Sequence, residues 1–288
     1  MFELIYRYDP AVRVLRELPV DANEALTRLE EGNRLFSSLA SNDGETSRVV
    51  YMDLADLGLD VSGGVPAQEP FAVVLGCADA RVPPEMIFNR TCNELFVVRV
   101  AGNIISEELL GSIDYAVEHL GENLKLIAVL GHSQCGAVTA AVDAFLAPAE
   151  YLSFAAAHHL RAIINILFPA VRGAVRALSL KWGDEVANSP GYRAALIESA
   201  VVINAALTAS ILKSEFDSET TNRRFVFGMY DLSTRRVHVP QLVDGEGEPT
   251  IRLLDAPKGL EEFRRFASEV VSSGRISRLL SNTHLEQR

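Results

Sequence analysis

The chain has 288 residues, 48% hydrophobic and 23% charged, a mixture that excludes wholesale disorder and builds a core without disulfide staples. With 27 basic against 38 acidic residues the net charge is −11. That argues against a nucleic-acid binder or a basic membrane-surface protein, since both need a cationic face. The longest uncharged apolar stretch, Ser199 to Leu212, covers 14 residues. This is short of the ~20 that a bilayer core demands, and it reads as a buried helix. The N-terminus lacks the apolar run and small-residue cleavage site of a signal peptide. With three cysteines, the chain reads as a cytoplasmic protein whose thiols serve metal binding, catalysis or packing.

Residues 1–20 carry no sustained periodicity and read as an N-terminal arm. A helix is predicted from Asp21 to about Leu39: Asp21 and Glu24 have capping-box spacing, and Ala25, Leu26, Leu29 and Leu35 form an apolar stripe. Ser41 to Gln68 reads mostly as loop, with a short helical possibility around Tyr51–Leu57. Continuous apolar runs at 71–76, 95–100 and 124–131 suit parallel strands covered on both faces, with a helix at 106–120 between the last two. Two helices follow, from Glu150 to about Leu180, broken by Pro169, and from Gly191 to Lys213. Residues 224–240 read as a fourth strand turning through Asp231–Arg235 into a fifth. The expected fold is α/β: a single domain over 21–245 with a mostly parallel central sheet, about four parallel strands plus an edge strand, flanked by helices. Within it, 148–195 looks like a helical insertion, and 246–288 like a polar C-terminal extension.

The chemistry-bearing residues sit at strand ends, where open α/β sheets form their ligand crevice. Cys77 follows the first strand; His132 and Cys135 follow the third. His132 and Cys135 are three apart and face the same way on a helical turn. A Cys₂His set with one open position is a catalytic zinc arrangement. Asp79 can ligate the metal or accept a proton, and Arg81 can hold that carboxylate ionised through a bidentate pair. Each residue has a blander reading alone: a packed cysteine, a satisfied histidine, an ordinary ion pair. Two half-sites at two strand–helix junctions are not explained that way. Cys92 reads as packing, and His119, His158, His159, His238 and His284 as structural. Gly131 to Gly136 resembles half a phosphate loop but lacks the Lys-Ser/Thr that follows one. A Cys–His nucleophile pair would leave the second cysteine and the Asp79–Arg81 pair without a role.

In this order the motifs Cys77-x-Asp79-x-Arg81, Arg99-x-Ala101-Gly102-Asn103 and Gly131-His132-x-x-Cys135-Gly136 resemble the β-class carbonic anhydrases. The match is close over 22–145 and looser over 196–240, and a helix ending in a Gly32-Asn33 step is similar too. The resemblance implies one zinc ion per chain on Cys77, His132 and Cys135, with Asp79 and Arg81 as the catalytic dyad. It implies substrate binding by Gln68, Phe96, Tyr115 and the backbone N–H of Gly136. The implied reaction is reversible hydration of CO₂ to bicarbonate and a proton by zinc-bound hydroxide, a carbonate dehydratase (lyase) activity. The alternatives are a hydrolase of carbonyl sulfide or carbon disulfide on the same scaffold, or a non-catalytic zinc module. Ala80 stands where the family most often has Ser. Val74 stands where the allosteric subgroup has Trp, so that regulation is not expected. Gln68 lies nine residues before Cys77, roughly 30 Å away if the segment is extended. To reach a substrate pocket it must serve the zinc of a partner chain, so a homodimer or dimer-based assembly is expected, with the apolar stripe of the 22–39 helix across the interface.

Overall fold

The computed structural model describes residues 3–9, 11, 17–39, 47–54, 65–149, 158–217, 222–240 and 250–281. Asp21 caps helix α1 (Ala22–Ser38), accepting the N–H groups of Asn23 and Glu24 at 2.8 and 2.9 Å. Glu24 reaches back to the N–H of Val20, closing the cap one residue earlier than a capping box does. The Gly32-Asn33 step does not end this helix but lies inside it, where α1 meets α2 (Pro84–Ile87). A Cβ on Gly32 would stand 1.8 Å from the Phe88 carbonyl oxygen, so the step permits close approach instead of termination. Buried Asn33 donates to the carbonyls of Ile87 and Arg235 and accepts the N–H of Val237. Gly32→Ala is expected to destabilise the fold by roughly 1–3 kcal/mol through overpacking. A denaturation midpoint equal to the wild type's would contradict this contact.

Strand β1 (Glu3–Arg7) pairs in parallel with β2 (Ser47–Tyr51) as a separate two-stranded sheet. Part of the N-terminal arm is therefore a strand. Tyr51 ends a strand instead of starting a helix, because Val49, Val50 and Tyr51 favour extended backbone. Residues 55–57 of that helical possibility lie outside the described residues. The main sheet contains β3 (Ala72–Gly76), β4 (Leu95–Arg99), β5 (Leu126–His132), β6 (Arg224–Tyr230), β7 (Val237–His238) and β8 (Leu254–Asp255). Its order is β4-β3-β5-β6-β7, with β8 also on β6. The first four strands are parallel; β7 and β8 run antiparallel to β6. Every residue of β3 and β5 is buried, whereas β4 at the edge is half-covered. That is why the central runs are apolar on both faces.

Helices α3 (Glu107–His119), α4 (Gly136–Leu146), α5 (His158–Trp182), α6 (Tyr192–Phe216), α7 (Gly259–Ser272) and α8 (Gly274–Ser281) complete the fold. Alternate strand residues feed two cores. Val73, Leu75, Ile127 and Val129 face α3 to α8, while Ala72, Val74, Ala128 and Leu130 face α1 and α2. The stripe residues Ala25 and Leu29 are spent in this second core, inside their own chain, and not across an interface. Pro169 does not break α5. A proline inside a helix costs about 3 kcal/mol, but Ile164, Leu167 and Val171 on either side are fully buried and contribute ~1.5–3 kcal/mol each. Residues 150–157 of the expected helix lie outside the described residues. By length and composition alone α5 and α6 could cross a membrane; their apolar windows are 39% and 83% buried. For α6, packed on β5 and β6, that is the setting of a core helix, as the sequence suggests. In the C-terminal segment, Phe266, Val270, Val271 and Ile276 join the same core.

Candidate metal centre

Because β3 and β5 are adjacent and parallel, their carboxyl ends open on the same side of the sheet. Cys77 follows β3 directly, His132 is the last residue of β5, and Cys135 precedes the first turn of α4. The three donor atoms lie within 4.8 Å of one another, with the sulfurs 4.0 Å apart. All three residues are buried. His132 Nδ1 sits 2.9 Å from the Ser133 carbonyl oxygen, and that oxygen can only accept, so the proton is assigned to Nδ1. Nε2 is buried and without a hydrogen-bond partner. Leaving such a group unsatisfied costs roughly 1–3 kcal/mol. Two thiols and an orphaned imidazole nitrogen form a set that can hold a metal ion.

The thiols point to the same conclusion. A hydrogen bond from Cys135 outweighs burial at Cys77 and, with the N–H groups of Asp79 and Gly102, brings its pKa down to about 4. The same shared hydrogen bond, with burial and the Cys77 charge, pushes the Cys135 thiol up. A cation at the centre relieves this conflict by favouring both thiolates.

Cys77 is held from several sides. The Gly102 N–H lies 3.3 Å from its sulfur, and Arg99 donates to the carbonyls of Cys77 (2.9 Å) and Asp79. Gly102 has φ of 69°, and a Cβ there would press on Ala137 and Leu167 at 3.2 Å, so both its conformation and its surroundings favour glycine. Asn204 of α6 donates to the Gly102 carbonyl at 2.8 Å. Arg99 and Gly102 belong to a motif visible in the sequence, yet their supporting role is not. Asn204 carries no local signal.

Asp79 and Arg81 form a bidentate pair, Nε to Oδ1 at 2.9 Å and Nη2 to Oδ2 at 2.7 Å. The Arg81 side chain outweighs burial and keeps the Asp79 carboxyl well below the usual carboxylate range. Asp79 Oδ2 is 3.9 Å from His132 Nε2, beside the donor set. Gly136 opens α4 next to Cys135, exposed and with free space over its Cα. The remaining candidates cluster elsewhere. Gln68 and Phe96 line a cavity of about 380 Å³, and the Phe96 and Tyr115 ring centroids are 6.4 Å apart. Phe96 is in register with Val73, four residues or ~13 Å along the strand from Cys77. One chain thus unites Cys77, Asp79, Arg81, His132, Cys135 and Gly136, and separately Gln68, Phe96 and Tyr115. Cys92 is exposed, not packed; its turn, with positive φ at Asn89 and Asn93, lies at the surface.

The family model described as carbonic anhydrase matches residues 72–234, from β3 to the turn after β6. Carbonic anhydrase 2 of Mycobacterium tuberculosis is 52% identical over 127 residues, 44% of this chain and 54% of that protein. The carbonic anhydrase of Mycolicibacterium smegmatis is 51% identical over 78 residues, 27% of this chain and 37% of that one. Among solved structures, the β-carbonic anhydrase CcaA is 23% identical with a TM-score of 0.47, over 71% of this chain and 83% of that chain. The chain spans about half the length of the M. tuberculosis relative. Fold and site together define an α/β protein with a three-donor metal centre at the carboxyl edge of a parallel sheet. With its family match covering more than half of its length, the chain belongs to the β-class carbonic anhydrase family.

Proposed function

We propose that this protein is a zinc-dependent carbonate dehydratase that interconverts CO₂ and bicarbonate. One observation carries the reading: a buried Cys77–His132–Cys135 donor set with an ion-paired carboxylate at its side. Two thiolates and one imidazole suit zinc and leave a position open. Zinc in such a site supplies a nucleophilic oxygen at neutral pH by acidifying water.

The chain's own residues supply the rest. Arg99 and Gly102 fix Cys77, and the Ser133 carbonyl sets the ring of His132. Asp79, ionised, is a hydrogen-bond acceptor beside the donor set and would orient a nucleophilic water there; Arg81 holds its carboxylate in place through the bidentate pair. Phe96 and Tyr115 offer an apolar seat suited to uncharged CO₂, and Gln68 a hydrogen-bonding group at its edge. These three reach a cation site across a two-fold dimer, Gln68 of each chain serving the other's zinc. The half-covered edge strand β4 and the cavity shared by Gln68 and Phe96 support that arrangement.

Stopped-flow CO₂ hydration, run beside a carbonyl sulfide assay, tests the reaction. Mixing inactive Gln68→Ala and Cys77→Ala chains tests the assembly. A mixed dimer holds one doubly defective and one intact site, so substantial activity should return. Heterodimers without activity would place Gln68 in its own chain's site or in none. Activity is also expected to rise from pH 6 to 9. The folded-state pKa of Asp79 is depressed, so its charge is complete above the ordinary carboxylate range and constant across this window. The rise therefore reports deprotonation of the attacking water. A flat profile with chemistry rate-limiting would contradict the reading.

A further inference from the structure

Four titratable groups meet beside the loop that follows His132: Glu198 of α6, Asp231 after β6, His238 of β7 and Arg275 of α8. Glu198 is 6% exposed, and Asp231 and His238 are 1% exposed. Arg275 Nε lies 2.6 Å from Glu198 Oε1, and its Nη1 bonds Asp231 Oδ2. The His238 ring stands 3.8 Å from the same Asp231 oxygen, beyond hydrogen-bond reach. Two carboxylates buried together are costly unless a cation joins them, and Arg275 is that cation. It lies well past residue 234, where the family match ends.

A continuous path leads from this cluster to the donor set. Asp231 Oδ1 accepts the N–H and hydroxyl of Ser233 at 2.8 and 2.6 Å, which fixes the turn after β6. In that turn Leu232 donates its N–H to Ser133 Oγ at 3.0 Å. Ser133 in turn donates its own N–H to the Tyr230 carbonyl at 2.9 Å. The Ser133 carbonyl then receives His132 Nδ1. Each link is a neighbour of the next in space.

We infer that Arg275 is a positioning residue for the cation site: through Asp231 and Ser133 it sets the ring of His132. This rests on the metal-site reading above. It makes the C-terminal helix α8 a working part of the centre, with the guanidinium acting as a two-armed clip between Glu198 and the turn after β6, whose Leu232 bonds Ser133.

The test uses cobalt(II) as the probe, titrated into the full-length chain. Its visible spectrum reports coordination, and its transfer to a chelator reports the off-rate. Arg275→Met and Ser133→Ala are expected to speed cobalt loss by ~10–100-fold, the usual effect of removing support behind a ligand, and to change the spectrum. Arg275→Lys, which keeps the charge but not the fork, should fall between these variants and the wild type. Ser133→Ala leaves the charged cluster intact, so it decides the matter if Arg275→Met fails to fold. Wild-type spectra and off-rates in folded Ser133→Ala and Arg275→Lys would overturn the inference while leaving the metal site standing. Failure of the wild type itself to take up cobalt would overturn the metal-site reading and the inference with it.

Discussion

Replacing Cys77 by Ser, or His132 by Ala, is expected to abolish zinc binding and hydration activity together. Among the described residues the cluster has three donors, so either change leaves two. A serine hydroxyl stays protonated where the Cys77 thiol ionises readily, its pKa drawn down to about 4 by Cys135 and its other partners, so it offers no anionic ligand. An alanine at position 132 removes Nε2 outright. Metal binding at Cys-rich sites is worth ~10–16 kcal/mol in apparent terms and depends on deprotonated ligands. Losing one donor of three therefore outweighs any repacking gain. Atomic emission on gel-filtered protein gives zinc per chain, and stopped-flow gives the rate. Full zinc retention in both variants would sink the assignment.

Arg81→Ala should separate the two readouts. Zinc remains, because none of its donors is touched, but hydration falls by ~10²–10⁴-fold, the scale of a lost proton-handling group. The cause is positional. Without the guanidinium, the Asp79 carboxylate, already 3.9 Å from His132 Nε2, is free to become a fourth donor and exclude water. Stability should change by less than ~1 kcal/mol, since the Arg81 side chain is 55% exposed and pairs of that kind contribute little. Loss of zinc, or a wild-type rate, would refute this division of labour.

The parts legible in the sequence share a cause. Strands β3, β5 and β6 announce themselves as apolar runs because both their faces are covered, and the metal donors sit at the carboxyl ends of two of them. The illegible parts depend on partners distant in sequence. Pro169 reads as a break because local chemistry says so, and only the packing of α5 on α6 overrules it. Strand β1 is called up by Ser47–Tyr51, and neither segment alone has a core-facing pattern. Gly32-Asn33 looks like a terminator until the Phe88 carbonyl appears above it. The supports of the site, Arg99, Asn204 and Arg275, act through backbone carbonyls or through carboxylates far along the chain, contacts that no periodicity records. Gln68, Phe96 and Tyr115 have no common motif; resemblance alone singled them out, and the structure gathers them at the other end of the strands from the metal donors.

Asn33 also sets a timetable. Its side chain bonds the carbonyl of Arg235, 202 residues later, and the N–H of Val237, 204 residues later. At a synthesis rate of ~5–20 residues per second, roughly 10–40 s separate the making of these partners. Throughout that interval Ala25 and Leu29, on the same helix, already have Phe71, Val74, Phe88 and Leu130 of their core to pack on, while the Asn33 amide lacks two of its three partners. The last polar bonds of the first helix therefore wait for residues made about 200 positions later, and contacts of such long span are slow to form. A nascent chain halted before Val237 would carry Cys77, His132 and Cys135 in full, yet leave the side-chain carbonyl oxygen of buried Asn33 without the N–H that satisfies it, a cost of roughly 1–3 kcal/mol.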